Sequence, residues 1–192
     1  MHTSGPDDGL GWLGTRGRDG GIDLVPLPGV SGALSLCGKH AIGPDPEAAL
    51  RRCGATTVVC LVEEHELVDR YPDYVTWLRM CAGRVECGAE TSAGRAVWWP
   101  VHDLHAPSFD DAVVLIEELV ARVQRGDHLL VHCGAGIGRA GTVAACVLIA
   151  LGMDHDDALA HVARHRPMAG PEVGAQRDLV RAFADARGSR GV

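Results

Sequence analysis

Positions 129–142 of this 192-residue chain have the sequence LLVHCGAGIGRAGT, which joins three local patterns. The apolar segment Leu129–Val131 predicts a buried strand that ends just before Cys133. Three glycines follow at alternate positions and predict a tight turn. A hydrophobic helix follows the turn. It ends at Leu151, and Gly152 is its C-cap. A strand, a glycine-rich turn and a helix in this order are typical of a loop that binds anions.

This turn is predicted to hold a phosphate-like group above a nucleophilic cysteine. The backbone N–H groups expected to line it belong to Gly134, Ala135, Gly136, Ile137 and Gly138. Arg139 closes the turn with a planar guanidinium that matches two oxygens of a tetrahedral anion. The same positive groups favour the thiolate of Cys133, which is a nucleophile toward phosphorus. The alternative interpretation is a buried structural cysteine beside a glycine-rich turn.

The turn resembles the signature of the cysteine-dependent protein phosphatases, which is His-Cys-x5-Arg followed by Ser or Thr. The resemblance is to members of the dual-specificity type, nearest the branch of the cyclin-dependent-kinase-associated phosphatase, and it extends over residues 22–185. The supporting stretches are Val58 through Glu66-Leu67, Arg166-Pro167, Gly170-Pro171-Glu172 and Gln176. The resemblance implies hydrolysis of phosphomonoesters through a phosphocysteine on Cys133, with no metal or other cofactor.

A second loop is expected to supply the general acid that a phosphatase of this type needs. The stretch WPVHD, which ends at Asp103, resembles the acid loop of the compact dual-specificity members. Asp103 is therefore the expected acid in the first step and the expected base toward water in the second. His102 and His105 are neighbouring alternatives, and Asp103 has the alternative of being a solvated loop carboxylate.

Two more residues have supporting roles implied by the resemblance. His132 is expected to hold the loop through hydrogen bonds and to tune the thiolate, without transferring protons itself. Gln176 matches a position that in some relatives orients the hydrolytic water. Its alternative interpretation is an ordinary glutamine on a helix surface.

One position departs from the family pattern. Ala140 stands where the family has Ser or Thr, whose hydroxyl donates to the cysteine sulfur when the phosphoenzyme breaks down. The missing donor corresponds to a loss of ~1.5–3 kcal/mol for a hydrogen bond to a charged group. Thr142 is not expected to replace it, because relatives that keep the hydroxyl commonly have that threonine too. We therefore expect hydrolysis of the phosphocysteine to be impaired more than its formation; the alternative is that water fills the gap.

The rest of the chain alternates short apolar runs with helical patterns, which predicts a single α/β domain. The resemblance implies the protein tyrosine phosphatase-like fold, with a central, mostly parallel or mixed sheet flanked by helices. The predicted strands are 56–62, 96–99 and 129–131, and the predicted helices are 46–53 with Asp45 as N-cap, 63–82 with a break near Pro72, 108–126 with Ser108 as N-cap, the helix to Leu151, one opened by Asp154, and 173–187. The phosphatase domain is expected at 22–187, between a flexible segment at 1–21 and a disordered tail at 188–192.

Composition limits the classes of partner. The formal net charge of −7 argues against a general nucleic-acid binder. The longest apolar run, Val143–Leu151, is too short to span a membrane, and no signal pattern opens the chain. Seven irregularly spaced cysteines, Cys87 among them, without a Cys-x-x-Cys pair favour a reducing cytoplasm. The single lysine, Lys39, amid many arginines is interpreted as the codon bias of a GC-rich, bacterial genome.

The expected partner is a phosphorylated protein or peptide. The loop interior contains no lysine, unlike that of phosphoinositide phosphatases of this class. Tyr71 and Tyr74 are the only tyrosines, so no aromatic wall for phosphotyrosine is evident. The choice between phosphotyrosine and phosphoserine or phosphothreonine stays open, as does the oligomeric state.

Two rival functions remain. One is a phosphatase-like module that binds phosphorylated partners with little turnover, which Ala140 favours and the intact Cys133, Arg139 and Asp103 oppose. The other is a sulfurtransferase or arsenate reductase, which shares the Cys-x5-Arg spacing but usually lacks the acid loop. Cys60 is considered as a disulfide partner for oxidised Cys133, with a buried core cysteine as the alternative.

Overall fold

The computed structural model of the protein describes residues 21–82 and 94–188. The segment expected to be flexible at 1–21 and the tail expected to be disordered at 188–192 lie outside these ranges, apart from their innermost residues. Cys87 also lies outside the described residues.

Five strands form one mixed sheet in the order β1-β2-β5-β3-β4. Their bounds are β1 Asp23–Val25, β2 Ala33–Gly38, β3 Thr57–Cys60, β4 Ala96–Trp98 and β5 His128–Cys133. The four strands from β2 to β4 are parallel, and β1 pairs antiparallel with β2 at one edge. The central strand β5 is buried along almost its whole length, because parallel sheets are covered on both faces.

Seven helices complete the described part of the domain. Their bounds are α1 Lys39–Ile42, α2 Pro46–Cys53, α3 Pro72–Cys81, α4 Phe109–Gln124, α5 Gly138–Ala150, α6 His155–His165 and α7 Gly174–Gly188. All thirteen residues of α5 are buried, and this helix packs against α4, α6, α7 and β5. The expectation of a single α/β domain with a mixed sheet flanked by helices is confirmed.

Local signals placed several helix ends correctly. The Asp45 side chain accepts a hydrogen bond from the Ala48 N–H at 2.8 Å, and Gly54 closes α2 in the left-handed conformation with φ 72°. The Ser108 side chain accepts from the Asp111 N–H at 3.2 Å at the start of α4. These caps satisfy backbone groups that a helix end leaves without partners.

Two parts of the fold differ from the sequence prediction. The helical pattern predicted from position 63 is wrong before Pro72: residues 64–66 form a single 3-10 turn, and α3 begins at Pro72. The Glu66 side chain accepts a hydrogen bond from the Glu63 N–H at 3.3 Å, which closes that turn, and proline then sets a new helix start. Strands β1 and β2 were not predicted, although Ala33–Gly38 is a short apolar run like the others.

Candidate active site

The glycine-rich loop lies at the carboxyl edge of the parallel strands. Strand β5 ends at Cys133, and α5 begins at Gly138. The end of β2 lies alongside, because Gly38 is in register with Cys133. Cys60, at the end of β3, is in register with His132 on the other side. The loops that follow three neighbouring strands therefore meet around Cys133, as ligand sites do in open α/β sheets.

Every carbonyl of the loop from residue 134 to 138 accepts a hydrogen bond from outside the loop. The donors are Lys39 N to Gly134 O at 3.0 Å, Arg166 Nη2 to Ala135 O at 3.0 Å, Arg166 Nε to Gly136 O at 2.6 Å, Gly141 N to Ile137 O at 2.8 Å, and Thr142 Oγ1 to Gly138 O at 2.8 Å. In a trans peptide the N–H points opposite to the carbonyl, so these contacts turn the loop amides inward. Within the described part of the chain, the N–H groups of residues 134–138 donate no hydrogen bond. They form a concave anion-binding nest at the N-terminus of α5.

One loop position requires glycine, and a second lies close to neighbouring side chains. Gly136 has a φ of 73°, and a β-carbon there would overlap the carbonyl of Cys37. A β-carbon on Gly138 would overlap Oε2 of Glu172 and lie 3.1 Å from Oε1 of Gln176. Both contacts show how closely the neighbouring elements approach the loop backbone.

Arg139 is held by three residues from other parts of the chain. Its Nη1 donates to Glu66 Oε1 at 2.6 Å and to the Val101 carbonyl at 2.8 Å. Its Nη2 donates to Glu66 Oε2 at 3.0 Å and lies 3.0 Å from Asp103 Oδ1. Burial by itself would lower the pKa of Arg139, but the Glu66 carboxylate, with Cys133 and Asp103 nearby, raises it on balance. The guanidinium therefore stays charged in a fixed orientation beside the loop.

Glu66 is a site residue that the sequence analysis did not single out. Burial would raise the pKa of this carboxyl, but the hydrogen bonds and charge of Arg139 lower it on balance. The Lys39 ammonium donates to the Glu66 backbone carbonyl at 2.9 Å and ties the turn to the end of β2. A signal existed, because Glu66 follows the strand β3 closely and is part of a stretch that resembles the phosphatases.

The acid loop is attached to the end of β3. The Trp99 N–H donates to the Cys60 carbonyl at 2.9 Å, and the Val101 N–H donates to the Leu61 carbonyl at 3.1 Å. These bonds place Asp103 next to Arg139 while 64% of its side chain stays exposed. An exposed carboxyl at the mouth of the nest is accessible to a substrate oxygen.

The two neighbouring histidines face other partners. His102 Nδ1 lies 2.8 Å from Glu63 Oε2, and His105 Nδ1 lies 2.8 Å from the backbone carbonyl of Asp103. Their rings contact each other with centroids 4.7 Å apart. Of the three candidates for the acid, Asp103 is the one that the structure brings to Arg139.

His132 is fully buried beneath the loop. Its Nε2 shares a 2.6 Å hydrogen bond with the hydroxyl of Tyr74. Burial lowers the pKa of His132 to about 4, although the backbone of Cys133 opposes this. In the described ranges, its Nδ1 is the one buried side-chain polar atom without a hydrogen bond of normal geometry. A neutral, enclosed imidazole cannot exchange protons with a substrate at neutral pH, in keeping with the supporting role expected of it.

Gln176 lies inside the protein with 1% of its surface exposed, so the interpretation as a surface glutamine is wrong. Its Nε2 donates to the carbonyl of His105 at 3.1 Å, and its Oε1 accepts from the Glu172 N–H at 2.8 Å. The side chain thereby links the acid loop to the segment before α7. Both the oxygen and the nitrogen of the Gln176 amide are therefore hydrogen-bonded to backbone groups.

Ala140 is fully buried in the first turn of α5. Thr142 is buried as well, and its hydroxyl donates to the Gly138 carbonyl of its own helix. That contact accounts for the hydroxyl proton of Thr142, in agreement with the expectation that it does not replace the missing Ser or Thr.

Cys60 lies in the core, where burial raises its pKa to about 12. It is in register with His132, and side chains alternate between the faces of a strand. Cys133 therefore points to the opposite face of the sheet from Cys60, which argues against a disulfide between them without backbone movement.

Between residues 21–82 and 94–188, no group of three or more His, Cys, Asp or Glu side chains is arranged to hold a metal ion. No helix in these ranges is long and apolar enough to cross a membrane.

Several solved structures share the fold of this chain. The chain shares its fold with Tk-PTP in its active form (24% identity, TM-score 0.61, covering 85% of this chain and 97% of that one). It is similar to the kinase-associated phosphatase KAP with its catalytic cysteine replaced by serine (20% identity, TM-score 0.68, 88% and 96% covered). PTPMT1 in complex with PI(5)P is a further structural relative (16% identity, TM-score 0.59, 83% and 94% covered).

No curated protein matches the sequence significantly. The sequence profile of one family, PTP-SAK, described as "Swiss Army Knife protein, DSP-PTPase phosphatase domain", matches residues 41–183. This match covers most of the chain and includes the nest, the acid loop and the turn at Glu66. The resemblance to dual-specificity-type phosphatases is thereby confirmed, and the chain belongs to the PTP-SAK family of DSP-type phosphatase domains.

Proposed function

We propose that the protein hydrolyses phosphomonoesters on proteins through a phosphocysteine on Cys133. The observation that carries this proposal is the set of loop carbonyls bound from outside, which turns the loop amides toward one point above the cysteine. Arg139 and Asp103 border the same point. A tetrahedral dianion placed there meets amide and guanidinium donors on its equatorial oxygens.

In the first step, the Cys133 thiolate attacks phosphorus in line with the ester oxygen. The P–S bond forms while the P–O bond breaks, and Asp103 gives its proton to the departing alkoxide or phenoxide. Before substrate binds, Asp103 contacts Arg139. A phosphate oxygen of the substrate replaces that contact, and the carboxyl is then free to face the ester oxygen. Glu66 keeps the guanidinium in place during the exchange.

In the second step, water attacks phosphorus from the side that the leaving group vacated. Asp103, ionised after the first step, takes a proton from that water. The P–S bond breaks, its electron pair returns to Cys133 as the thiolate, and phosphate is released. Apart from the substrate and this water, the two steps use Cys133, Arg139, Asp103 and the loop amides.

The charges at the mouth favour a phosphoprotein over a lipid headgroup with several phosphates. The five residues of the loop interior are uncharged. Exposed carboxylates of Asp103 and Glu172 border them, and the ammonium of Lys39 is bound to the Glu66 carbonyl. A headgroup with further phosphates would meet negative charge there, whereas a single phosphorylated side chain needs only the nest. We take residues 22–187 as the phosphatase domain.

A reducing cytoplasmic setting, in a bacterial cell, is part of the proposal. The six described cysteines are all free, and Cys133 must remain a thiol to act.

The proposal is tested with phosphotyrosine and phosphoserine peptides, p-nitrophenyl phosphate and an alkyl phosphate. Cys133→Ser is expected to abolish turnover of all of them. Asp103→Asn is expected to lower the rate of the first turnover by about 10²–10⁴-fold for the alkyl phosphate and much less for p-nitrophenyl phosphate, whose leaving group needs no proton. Asp110→Asn, an exposed carboxyl in the first turn of α4, is the matched control and is expected to behave as the parent. Equal loss with all substrates in Asp103→Asn would contradict the acid role.

A second candidate function is a phosphate-binding module with little turnover. Ala140 favours it, because the thiolate then lacks one donor when it must leave phosphorus. Binding of a phosphopeptide without release of phosphate or of the dephosphorylated peptide would support this function instead.

A further inference from the structure

Two carboxylates border neighbouring positions at the end of the nest. Asp103 lies against Arg139, and Glu172 lies against the backbone of Gly138, so closely that a β-carbon there would overlap its Oε2. The steps described above use only Asp103. Glu172 is a solvent-exposed side chain that reaches the loop from the segment before α7.

The position of Glu172 is fixed by its own backbone. Its N–H donates to Gln176 Oε1 at 2.8 Å, and its carbonyl accepts from Arg177 Nη2 at 3.3 Å. Gln176 also donates to the carbonyl of His105 in the acid loop. The buried side-chain amide of Gln176 thereby sets the spacing between the loop that contains Asp103 and the segment that contains Glu172.

Gly138 is the residue at which the nest becomes helix α5, so its neighbourhood is the rim of the bound phosphate. A water that enters after the leaving group has gone must approach phosphorus past this rim. Asp103 is available on the Arg139 side, and Glu172 is available on the Gly138 side. Water has two protons, and two acceptors on different sides fix its oxygen lone pair toward phosphorus.

We propose that Glu172, and not Gln176, holds the water that hydrolyses the phosphocysteine, an inference that rests on the proposed function. One O–H of the water donates to Glu172, and the other donates to Asp103, which removes that proton. The water oxygen bonds to phosphorus, the P–S bond breaks, and its electron pair stays on Cys133 as thiolate. The products are phosphate, the thiolate and protonated Asp103, which returns ready for the next first step.

Gln176 is a positioning residue in this scheme. Its amide is engaged by the Glu172 N–H and the His105 carbonyl, so it acts on the water through the two elements it joins. A charged acceptor makes a stronger hydrogen bond to water than an amide does. A carboxylate in this place therefore favours the hydrolytic step in a chain whose Ala140 offers no donor to the leaving sulfur.

The test measures how the phosphocysteine divides between water and an added alcohol. The full chain is given p-nitrophenyl phosphate in the presence of ethylene glycol, and the ratio of p-nitrophenol to inorganic phosphate is measured. A ratio near one means that water takes nearly every phosphoryl group. The variants are Glu172→Ala and Glu172→Gln, with Asp178→Ala as a matched control, an exposed carboxyl on α7.

The parent and Asp178→Ala are expected to give a ratio near one. Glu172→Ala is expected to raise the ratio at least about twofold and to lower phosphate release by about 10- to 100-fold, while the first turnover of p-nitrophenol is unchanged. Glu172→Gln, which keeps an acceptor of the same shape but loses the charge, is expected to give a ratio between those of Glu172→Ala and the parent. The ratio does not depend on the amount of active protein, so partial misfolding of one variant leaves it interpretable.

The role of Glu172 and the proposed phosphatase function are overturned by different results. A parent-like ratio and rate in Glu172→Ala would overturn the role of Glu172 and leave the phosphatase intact. Tighter binding of inorganic phosphate in Glu172→Ala, with an unchanged ratio, would show that the carboxylate only competes for the nest, and would overturn it too. No release of p-nitrophenol above the Cys133→Ser background would overturn the proposed function itself.

Discussion

At the scale of single residues, Ala140 has the clearest consequence. It is buried in the first turn of α5, and the hydroxyl of Thr142 is engaged with Gly138. A serine at position 140 would supply the donor that the leaving thiolate lacks. We expect Ala140→Ser to raise steady-state turnover by about 10- to 100-fold, the equivalent of one hydrogen bond to a charged group.

The measurement is steady-state release of phosphate from p-nitrophenyl phosphate, next to the rate of the first turnover. Only the steady-state rate is expected to increase, because the donor acts when sulfur leaves phosphorus. Ala144→Ser, one turn further along the same buried helix, controls for the effect of any added hydroxyl. An Ala140→Ser enzyme that turns over no faster would count against the account of this position.

Glu66 is the second residue with a specific expectation. It fixes Arg139 through two hydrogen bonds, and in the proposed mechanism Arg139 presents its guanidinium to phosphate. Glu66→Ala is expected to lower kcat/KM by about 10- to 100-fold, because the freed guanidinium is no longer held in one orientation. Glu64→Ala, an exposed carboxyl two residues away that pairs with Arg79, is the matched control.

The contribution of Glu66 to folding depends on pH with a definite sign. Its pKa is lowered in the folded protein, so its stabilising contribution is complete above the pKa of the unfolded chain. That contribution is lost as the pH falls through the lower pKa that Glu66 has in the folded protein.

A Glu66→Ala protein with parent-like kcat/KM would contradict the role given to the Glu66–Arg139 pair.

At the scale of elements, the edge strand β1 is tied to the nest through one buried ion pair. Asp23 of β1 accepts from Arg166 Nη1, and the same guanidinium donates to the carbonyls of Ala135 and Gly136. The side chains of Asp23 and Arg166 are 5% and 1% exposed. β1 therefore acts on the site from the far edge of the sheet, through Arg166.

Removal of one partner leaves the other charge buried. We expect Asp23→Ala to lower the free energy of unfolding by about 3–5 kcal/mol, measured by denaturant titration. Glu64→Ala removes one partner of an exposed pair with Arg79 and is expected to cost about 0–1 kcal/mol. Similar small losses in both variants would show that the buried pair does not stabilise the domain.

The sequence predicted those elements whose signals are local. Asp45, Gly54 and Ser108 mark helix ends because a cap depends on residues three or four positions away. The apolar run that ends at Cys133 predicted β5 because a buried parallel strand needs no partner to be recognised. The pattern from position 63 misled because the side chain that ends this turn, Glu66, bonds to an arginine 73 residues further along the chain.

The candidate site, like the fold, was predictable only where its signals are local. Cys133 and Arg139 were predictable from spacing, and Asp103 from a short motif. The donors to the loop carbonyls come from Lys39, Arg166, Gly141 and Thr142. No local pattern indicates that Lys39 and Arg166 approach the loop. Their role depends on the register of β2 with β5 and on the packing of the segment after α6, which are long-range properties.

At the scale of the whole molecule, His132 makes the domain sensitive to acid. Its pKa is about 4 in the folded protein against an ordinary value of 6.5. The unfolded chain therefore binds the proton first as the pH falls below 6.5, and stability decreases until the pH reaches about 4. The loss from this one group is about 3 kcal/mol.

The check is the free energy of unfolding between pH 7 and pH 4, for the parent and for His132→Asn. Asparagine at position 132 has no proton to gain in this pH range. The free energy of unfolding of the variant is therefore expected to fall less steeply over this interval, whatever its value at pH 7. Parallel curves for the two proteins would show that the buried imidazole does not contribute to acid unfolding.

The central claim is that Cys133 carries the phosphoryl group between two steps of unequal rate. It is tested most directly by rapid mixing of the protein with excess p-nitrophenyl phosphate, next to Cys133→Ser. We predict a burst of p-nitrophenol equal to the concentration of active protein, followed by slow turnover, with both absent in Cys133→Ser. Acid-quenched protein should carry one phosphoryl group on the peptide that contains Cys133. Turnover that persists in Cys133→Ser, or a phosphoryl group found elsewhere in the chain, would contradict the account.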